Sequence, residues 1–237
     1  MTQELIDTLP VLRQGRGLVV AIDGPSGSGK SSVSREVARR LRLAYLDTGA
    51  MYRALTWYCL DHGTDLEDRA AVEQAAEELP LEISTSPLEE YVRVDGADVT
   101  QAIREPNISA AVSAVATTLG ARTELIRRQR DLIEQHHRRI VVEGRDITTV
   151  VAPGAEVRML LTASEEARLR RRGLQLGGTQ NDQELAAQVT HRDAKDATVV
   201  NFTQAADGVV TLDSSDLDFD GTVDAALAIV TKVLNRD

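Results

Sequence analysis

The strongest constraint on this chain is a nine-residue stretch, Gly24-Pro25-Ser26-Gly27-Ser28-Gly29-Lys30-Ser31-Ser32, set between two runs of different period. Before it, Leu18-Val19-Val20-Ala21-Ile22-Asp23 is continuous, apolar and rich in β-branched residues. That is the composition of a strand buried on both faces. After it, Val33, Val37 and Leu41 recur at helical spacing. The stretch fits G-x-x-x-x-G-K-[ST] at each fixed position, and strand, turn and helix follow in the order such a loop requires. Glycine permits backbone conformations that a Cβ obstructs, so several N–H groups can turn inward as a nest for an anion. The helix begins there and points its positive dipole end at the same anion. Lys30 adds a mobile full charge for β- and γ-phosphates, and Ser32 a further phosphate contact. Ser31 offers a hydroxyl ligand for Mg²⁺, which keeps several waters and takes few protein ligands. The stretch implies nucleoside triphosphate binding; the use made of the triphosphate has to be read elsewhere.

The 237 residues suffice for one α/β domain with a small insert. Aromatic residues are only 3%, so the core has to be built from Leu, Val, Ile and Ala. A formal net charge of −10 argues against a general nucleic-acid binder, which needs a basic face. It leaves room for a pocket with a few convergent arginines. No apolar run approaches the ~20 residues of a membrane span. The opening Met1-Thr2-Gln3-Glu4-Leu5-Ile6-Asp7 lacks the basic start and apolar stretch of a secretion signal. The single cysteine, Cys59, excludes an internal disulfide and a cysteine-cluster metal site, and it reads as a small core filler. The expectation is a cytoplasmic protein without nucleic-acid or membrane partners.

Strand and helix signals alternate along most of the chain, which predicts a parallel sheet with right-handed crossovers. Strands are expected near 44–46, 140–142, 157–161 and 208–212, and helices near 109–117, 122–136 and 222–235. Residues 1–16 read as a loose tail, and 17–63 with 105–237 as the core. Residues 64–104 differ: 81–84 and 91–94 alternate as half-exposed antiparallel strands do, so this segment reads as an inserted subdomain. Two arginine-bearing helices around a glycine-rich loop, about 168–195, read as a helical lid. Arg127, Arg128 and Arg130 are expected on the solvated face of their helix. Ligands in such sheets collect at the carboxyl ends of strands. Lys30, Asp47, Arg53, Glu143, Arg145 and Asp146 should therefore face one crevice.

Arginines in separate segments narrow the chemistry. A monophosphate acceptor beside a triphosphate donor gathers about six negative charges. Arginine suits such a site, because its planar fork grips phosphate oxygens in pairs and stays charged. The reading is a small kinase with a phosphorylated acceptor. A kinase for another monophosphate or a small alcohol such as shikimate, and an ATP-driven switch module, stay open.

Five stretches also carry a family resemblance: residues 20–32, Asp47-Thr48-Gly49-Ala50-Met51-Tyr52-Arg53, Glu143-Gly144-Arg145-Asp146, Arg192-Asp193 and Leu212-Asp213-Ser214-Ser215. In this order, over about residues 18–235, the chain resembles the bacterial cytidylate kinases. The resemblance implies an α/β P-loop kinase fold with an antiparallel insert for the monophosphate and a helical lid. It implies phosphorylation of CMP and dCMP by ATP with Mg²⁺, in pyrimidine nucleotide metabolism; a monomer is expected. It casts Gly24, Pro25, Ser26, Gly27, Ser28, Gly29, Lys30, Ser31 and Ser32 as the ATP cradle. Ser113, Arg122 and Asp146 match positions that hydrogen-bond cytosine, and Arg53 and Arg145 positions that hold the monophosphate. Thr48 and Tyr52 would support the acceptor pocket, and Arg192 and Asp196 match lid-side positions near phosphate and sugar. Lys30, Arg145 and Arg192 would be catalytic. The chain departs once: the family places an arginine three residues beyond Asp196, where this chain has Val199. Lys195 and Arg170, Arg171 and Arg172 are the candidates to replace it.

Overall fold

The computed structural model describes residues 16–175, 200 and 202–235. Its centre is a parallel sheet in the order β2-β6-β1-β7-β8. These strands are β1 (Leu18–Asp23), β2 (Ala44–Asp47), β6 (Arg139–Gly144), β7 (Val157–Thr162) and β8 (Val210–Asp213). The continuous apolar run forms β1, which lies mid-sheet with every residue buried. Period-2 geometry divides it between two cores. Leu18, Val20 and Ile22 face α1 (Lys30–Leu41) and α7 (Phe219–Leu234), while Val19 and Ala21 join the opposite cluster. That second cluster is covered by α2 (Thr48–Asp61), α3 (Arg69–Glu78), α4 (Pro106–Ala116) and α5 (Leu119–Gln135).

The alternating segment forms a separate antiparallel sheet, β3 (Leu81–Ile83), β4 (Val92–Val94) and β5 (Ala97–Asp98). Val92 and Val94 pack into the same core cluster as Leu46 and Met51, so this sheet sits against the main body. A 3₁₀ turn, Ala102–Arg104, leads from it to α4. After β6 comes a π-helical turn, Ile147–Val151, and after β7 comes α6 (Glu165–Gln175). Among the described residues no helix is long and apolar enough to cross a membrane.

Boundaries moved for identifiable reasons. Helix α4 begins at Pro106 rather than near 109, because proline is at home in the first turn, where its missing N–H costs nothing. Helix α7 begins at Phe219 rather than 222, because the Asp218 carboxylate caps the Gly221 N–H at 2.8 Å. The expected basic face of α5 is only partly solvated. Arg127 is exposed and pairs with Glu124 and Asp131. Arg128 instead donates to the carbonyls of Leu79, Ala76 and Glu77 at 2.6, 2.9 and 2.9 Å, closing the end of α3. Arg130 donates to the carbonyls of Val150 and Val151 at 2.7 and 3.2 Å. Helix ends leave carbonyls without partners, and arginine stems long enough to reach them turn inward. The expected tail before Arg16 and the expected lid beyond Gln175 lie outside the described residues.

Cys59 is fully buried in α2, and burial pushes its thiol up to about 11. Near pH 9, where an exposed thiol is largely ionised, native protein is expected to resist iodoacetamide. The urea-unfolded chain should be alkylated stoichiometrically. Mass spectrometry reads the difference, and fast alkylation of native protein would contradict the packing of α2.

Candidate active site

The nest forms because β1 delivers the chain to a reversal that only glycine tolerates at two points. A Cβ on Gly24 would stand 2.1 Å from the Leu161 carbonyl oxygen of β7. Gly29, the residue before α1, sits at φ 88, in the left-handed region. Lys30 Nζ donates to the Pro25 carbonyl at 3.0 Å. Helix α6 braces the loop from outside: Arg168 donates to the Ser26 carbonyl and Arg171 to the Ser28 carbonyl, both at 3.1 Å. Arg171 also donates to Ser214 Oγ and to the Ser214 and Leu217 carbonyls. Its guanidinium is therefore engaged with the framework, which weakens it as a substitute phosphate ligand.

Strand ends bring the remaining groups to the same edge. Asp47 ends β2, caps the Ala50 N–H at 2.9 Å and accepts from Arg53 Nη2 at 3.0 Å. Glu143 lies near the end of the neighbouring β6 and is 3% exposed. It accepts from Ser31 Oγ at 2.6 Å and from Tyr45 at 3.3 Å. Burial and the nearby Asp47 push its carboxyl up to about 6, against the pull of Lys30, Ser31 and Arg53. Thr48 is buried and donates its hydroxyl to the Glu143 carbonyl at 2.8 Å.

A third set is fixed from beneath. Asp23, the last residue of β1, is buried and accepts from the Ile147 N–H, the Thr148 N–H and Thr148 Oγ1 at 2.8, 2.8 and 2.6 Å. Burial nevertheless raises its carboxyl pKa. This anchor holds the turn that follows Arg145 and Asp146. The Arg145 guanidinium stacks over the buried Phe202 ring at 4.4 Å, a cation–π contact. Asp146 pairs with Arg122 Nη2 at 2.5 Å, and both side chains are largely buried. Arg122 also reaches the Ala116 carbonyl at the end of α4, one turn beyond the buried Ser113.

One crevice of about 850 Å³ joins these elements. Ser26 through Ser32 line it, with Asp47, Arg53, Glu143 and Arg145. Gly24, Pro25, Thr48, Tyr52, Ser113, Arg122 and Asp146 do not line it; Arg122 and Asp146 close on each other instead. Two buried polar atoms beside it, Ser28 Oγ and Arg53 Nε, have no hydrogen-bond partner among the described residues. Buried polar atoms left so are costly and uncommon, and both residues line the crevice. Arg192, Lys195, Asp196 and Val199 lie outside the described residues.

The crevice also contains groups that the motifs did not indicate. Glu90, Gln101, Arg104 and Ser109 come from the antiparallel segment and α4, Leu217 from the β8–α7 loop and Phe219 from the first position of α7. Phe219 is 49% exposed, which is unusual for so large an apolar ring. Apolar Leu217 and Phe219 flanking the capping Asp218 were the available signal. Arg104 stood in no motif, and only the fold brings it to the crevice.

The family model described as "Cytidylate kinase" matches residues 20–232. A cytidylate kinase of Cutibacterium acnes is 47% identical over 92% of this chain and 97% of its own length. Another, of Nocardia farcinica, is 47% identical over 92% and 95%. Among solved structures, an uncharacterized protein from Eubacterium ventriosum superposes with a TM-score of 0.51 at 10% identity, covering 93% of this chain and 99% of that one. The last likeness concerns the fold alone.

Proposed function

The chain belongs to the cytidylate kinase family, and from that premise we propose how its crevice moves a phosphoryl group from ATP to CMP or dCMP. The nest of Gly24, Pro25, Ser26, Gly27, Ser28, Gly29, Lys30, Ser31 and Ser32 takes the donor phosphates. Leu217 and Phe219 offer the donor base an apolar face. The hydroxyl of Ser31 and the carboxylate of Glu143 are hard oxygen donors in direct contact, a set that fits Mg²⁺ completed by phosphate oxygens and water. When bound, the ion would neutralise charge on the β- and γ-oxygens.

On the acceptor side, Arg53 and Arg145 hold the monophosphate, over the support of Thr48 and Tyr52. Ser113, Arg122 and Asp146 read the base. The cytosine amino group donates, which suits Asp146, while the ring nitrogen and carbonyl accept from Arg122. Until the base arrives, the two side chains satisfy each other. Arg192 and Asp196 act from the closing segment, by the resemblance that assigns them. The acceptor phosphate is already an anion, so no general base is needed. It attacks the γ-phosphoryl in line, and Lys30 with the arginines stabilises charge spread over a loose transition state. Closure over the bound pair excludes water and limits futile hydrolysis.

The observation that carries this reading is the convergence of Lys30, Arg53 and Arg145, from α1, α2 and the end of β6, on a single crevice. We extend it to a monomer in the cytoplasm. One chain supplies both donor and acceptor groups, and the free buried Cys59 suits a reducing compartment. A coupled ADP-release assay with CMP, dCMP, UMP, AMP and shikimate tests the reading. Turnover is expected with CMP and dCMP, and at least about tenfold less with the others. Slow ATP hydrolysis indifferent to acceptor would favour a switch module instead.

A further inference from the structure

Arg104 ends the 3₁₀ turn Ala102–Arg104 between the antiparallel sheet and α4. The turn is pinned. Ile103 is 1% exposed, its N–H donates to the Val99 carbonyl at 3.0 Å, and the Arg104 N–H donates to the Gln101 carbonyl at 2.9 Å. From this fixed base the Arg104 side chain lines the same crevice as Lys30, Arg53 and Arg145. Its Nη2 meets Glu90 Oε1. The other Glu90 oxygen accepts from Arg35 of α1 at 2.9 Å. One carboxylate thus holds two guanidinium groups, one with each oxygen.

Arg104 stands on the acceptor side. Burial works to raise the Asp47 carboxyl, yet Arg53, the Ala50 N–H and Arg104 together hold it below its usual value. The field of Arg104 therefore reaches the carboxylate that Arg53 touches. The ion pair with Glu90 is about one-third exposed on each side, and pairs so wetted contribute little. A phosphate dianion offers the same forked geometry with twice the charge. Glu90 would keep Arg35 after the exchange, so no carboxylate is stranded.

We propose that Arg104 is an additional ligand for the acceptor phosphate, held by Glu90 until CMP enters and then transferred to it. The inference rests on the acceptor-side reading of Arg53 and Arg145. A competing role is purely mechanical: Arg35, Glu90 and Arg104 as a strap tying the antiparallel segment to α1. The two roles differ in sign. If Arg104 binds phosphate, Glu90 competes with substrate for it; if it is a strap, both residues serve one end.

The test is steady-state kinetics of wild type, Arg104→Gln and Glu90→Gln, varying CMP and ATP separately, with thermal melts as a folding control. Arg104→Gln is expected to raise KM for CMP by roughly 10- to 30-fold and to leave KM for ATP within about twofold. Glu90→Gln is expected to lower KM for CMP by roughly 2- to 3-fold. Increases of similar size in both variants would overturn the proposal, because breaking a strap from either end has one result. An unchanged KM for CMP in Arg104→Gln would overturn it equally. A wild-type enzyme that ignored CMP would instead overturn the acceptor site on which the proposal rests.

Discussion

Lys30→Ala is expected to fold normally and to lower kcat by about 10³-fold. The fold should survive because Lys30 opens α1 at the crevice wall, outside both hydrophobic clusters. Its hydrogen bond to the Pro25 carbonyl lies within the loop itself. The rate should collapse because spread negative charge on the moving phosphoryl group loses its nearest mobile cation. The α1 dipole and the backbone N–H groups of the nest remain, so ATP affinity should weaken far less than turnover. Single-turnover kinetics separate the two. Turnover within about tenfold of wild type would contradict the mechanism.

The second large effect concerns base choice. Asp146→Asn conserves volume but places an amide where cytosine presents its own amino group. Each well-formed polar pair to a base edge is worth roughly 1–3 kcal/mol of discrimination. The ratio of kcat/KM for CMP over UMP should therefore fall by about 100-fold, mostly through loss on CMP, while KM for ATP stays within about twofold. Arg122 loses its ionic partner in this variant, so a melting curve is needed beside the kinetics. Equal losses for CMP and UMP, with ATP affinity falling in step, would count against a base-reading Asp146.

The half of the crevice lined by the glycine-rich loop was legible because it is local. Strand, loop and helix occupy consecutive residues, and each part has its own period or its own residue type. The same holds for Asp47 and Arg53, the N-cap of α2 and a residue less than two turns into it. Arg104 and Glu90 were not legible. They lie 14 residues apart in a segment whose only pattern is strand alternation, and the antiparallel register brings them together. Arg128 and Arg130 failed for a related reason. Helical periodicity says which side of α5 a residue occupies, but not that unpaired carbonyls of other elements wait within a side chain's reach. The π-helical turn after β6 follows from Asp23, whose carboxylate binds two consecutive N–H groups from 124 and 125 residues away in sequence. No local signal announces such a contact.

That contact has a mechanical meaning. Asp23 leads directly into the loop that would take ATP, and its carboxylate clamps the turn directly behind the arginine that would take CMP. A single side chain would thus be the fixed jaw of a calliper, tying the loop after β1 to the turn after Asp146 and with it the gap across which phosphorus would travel.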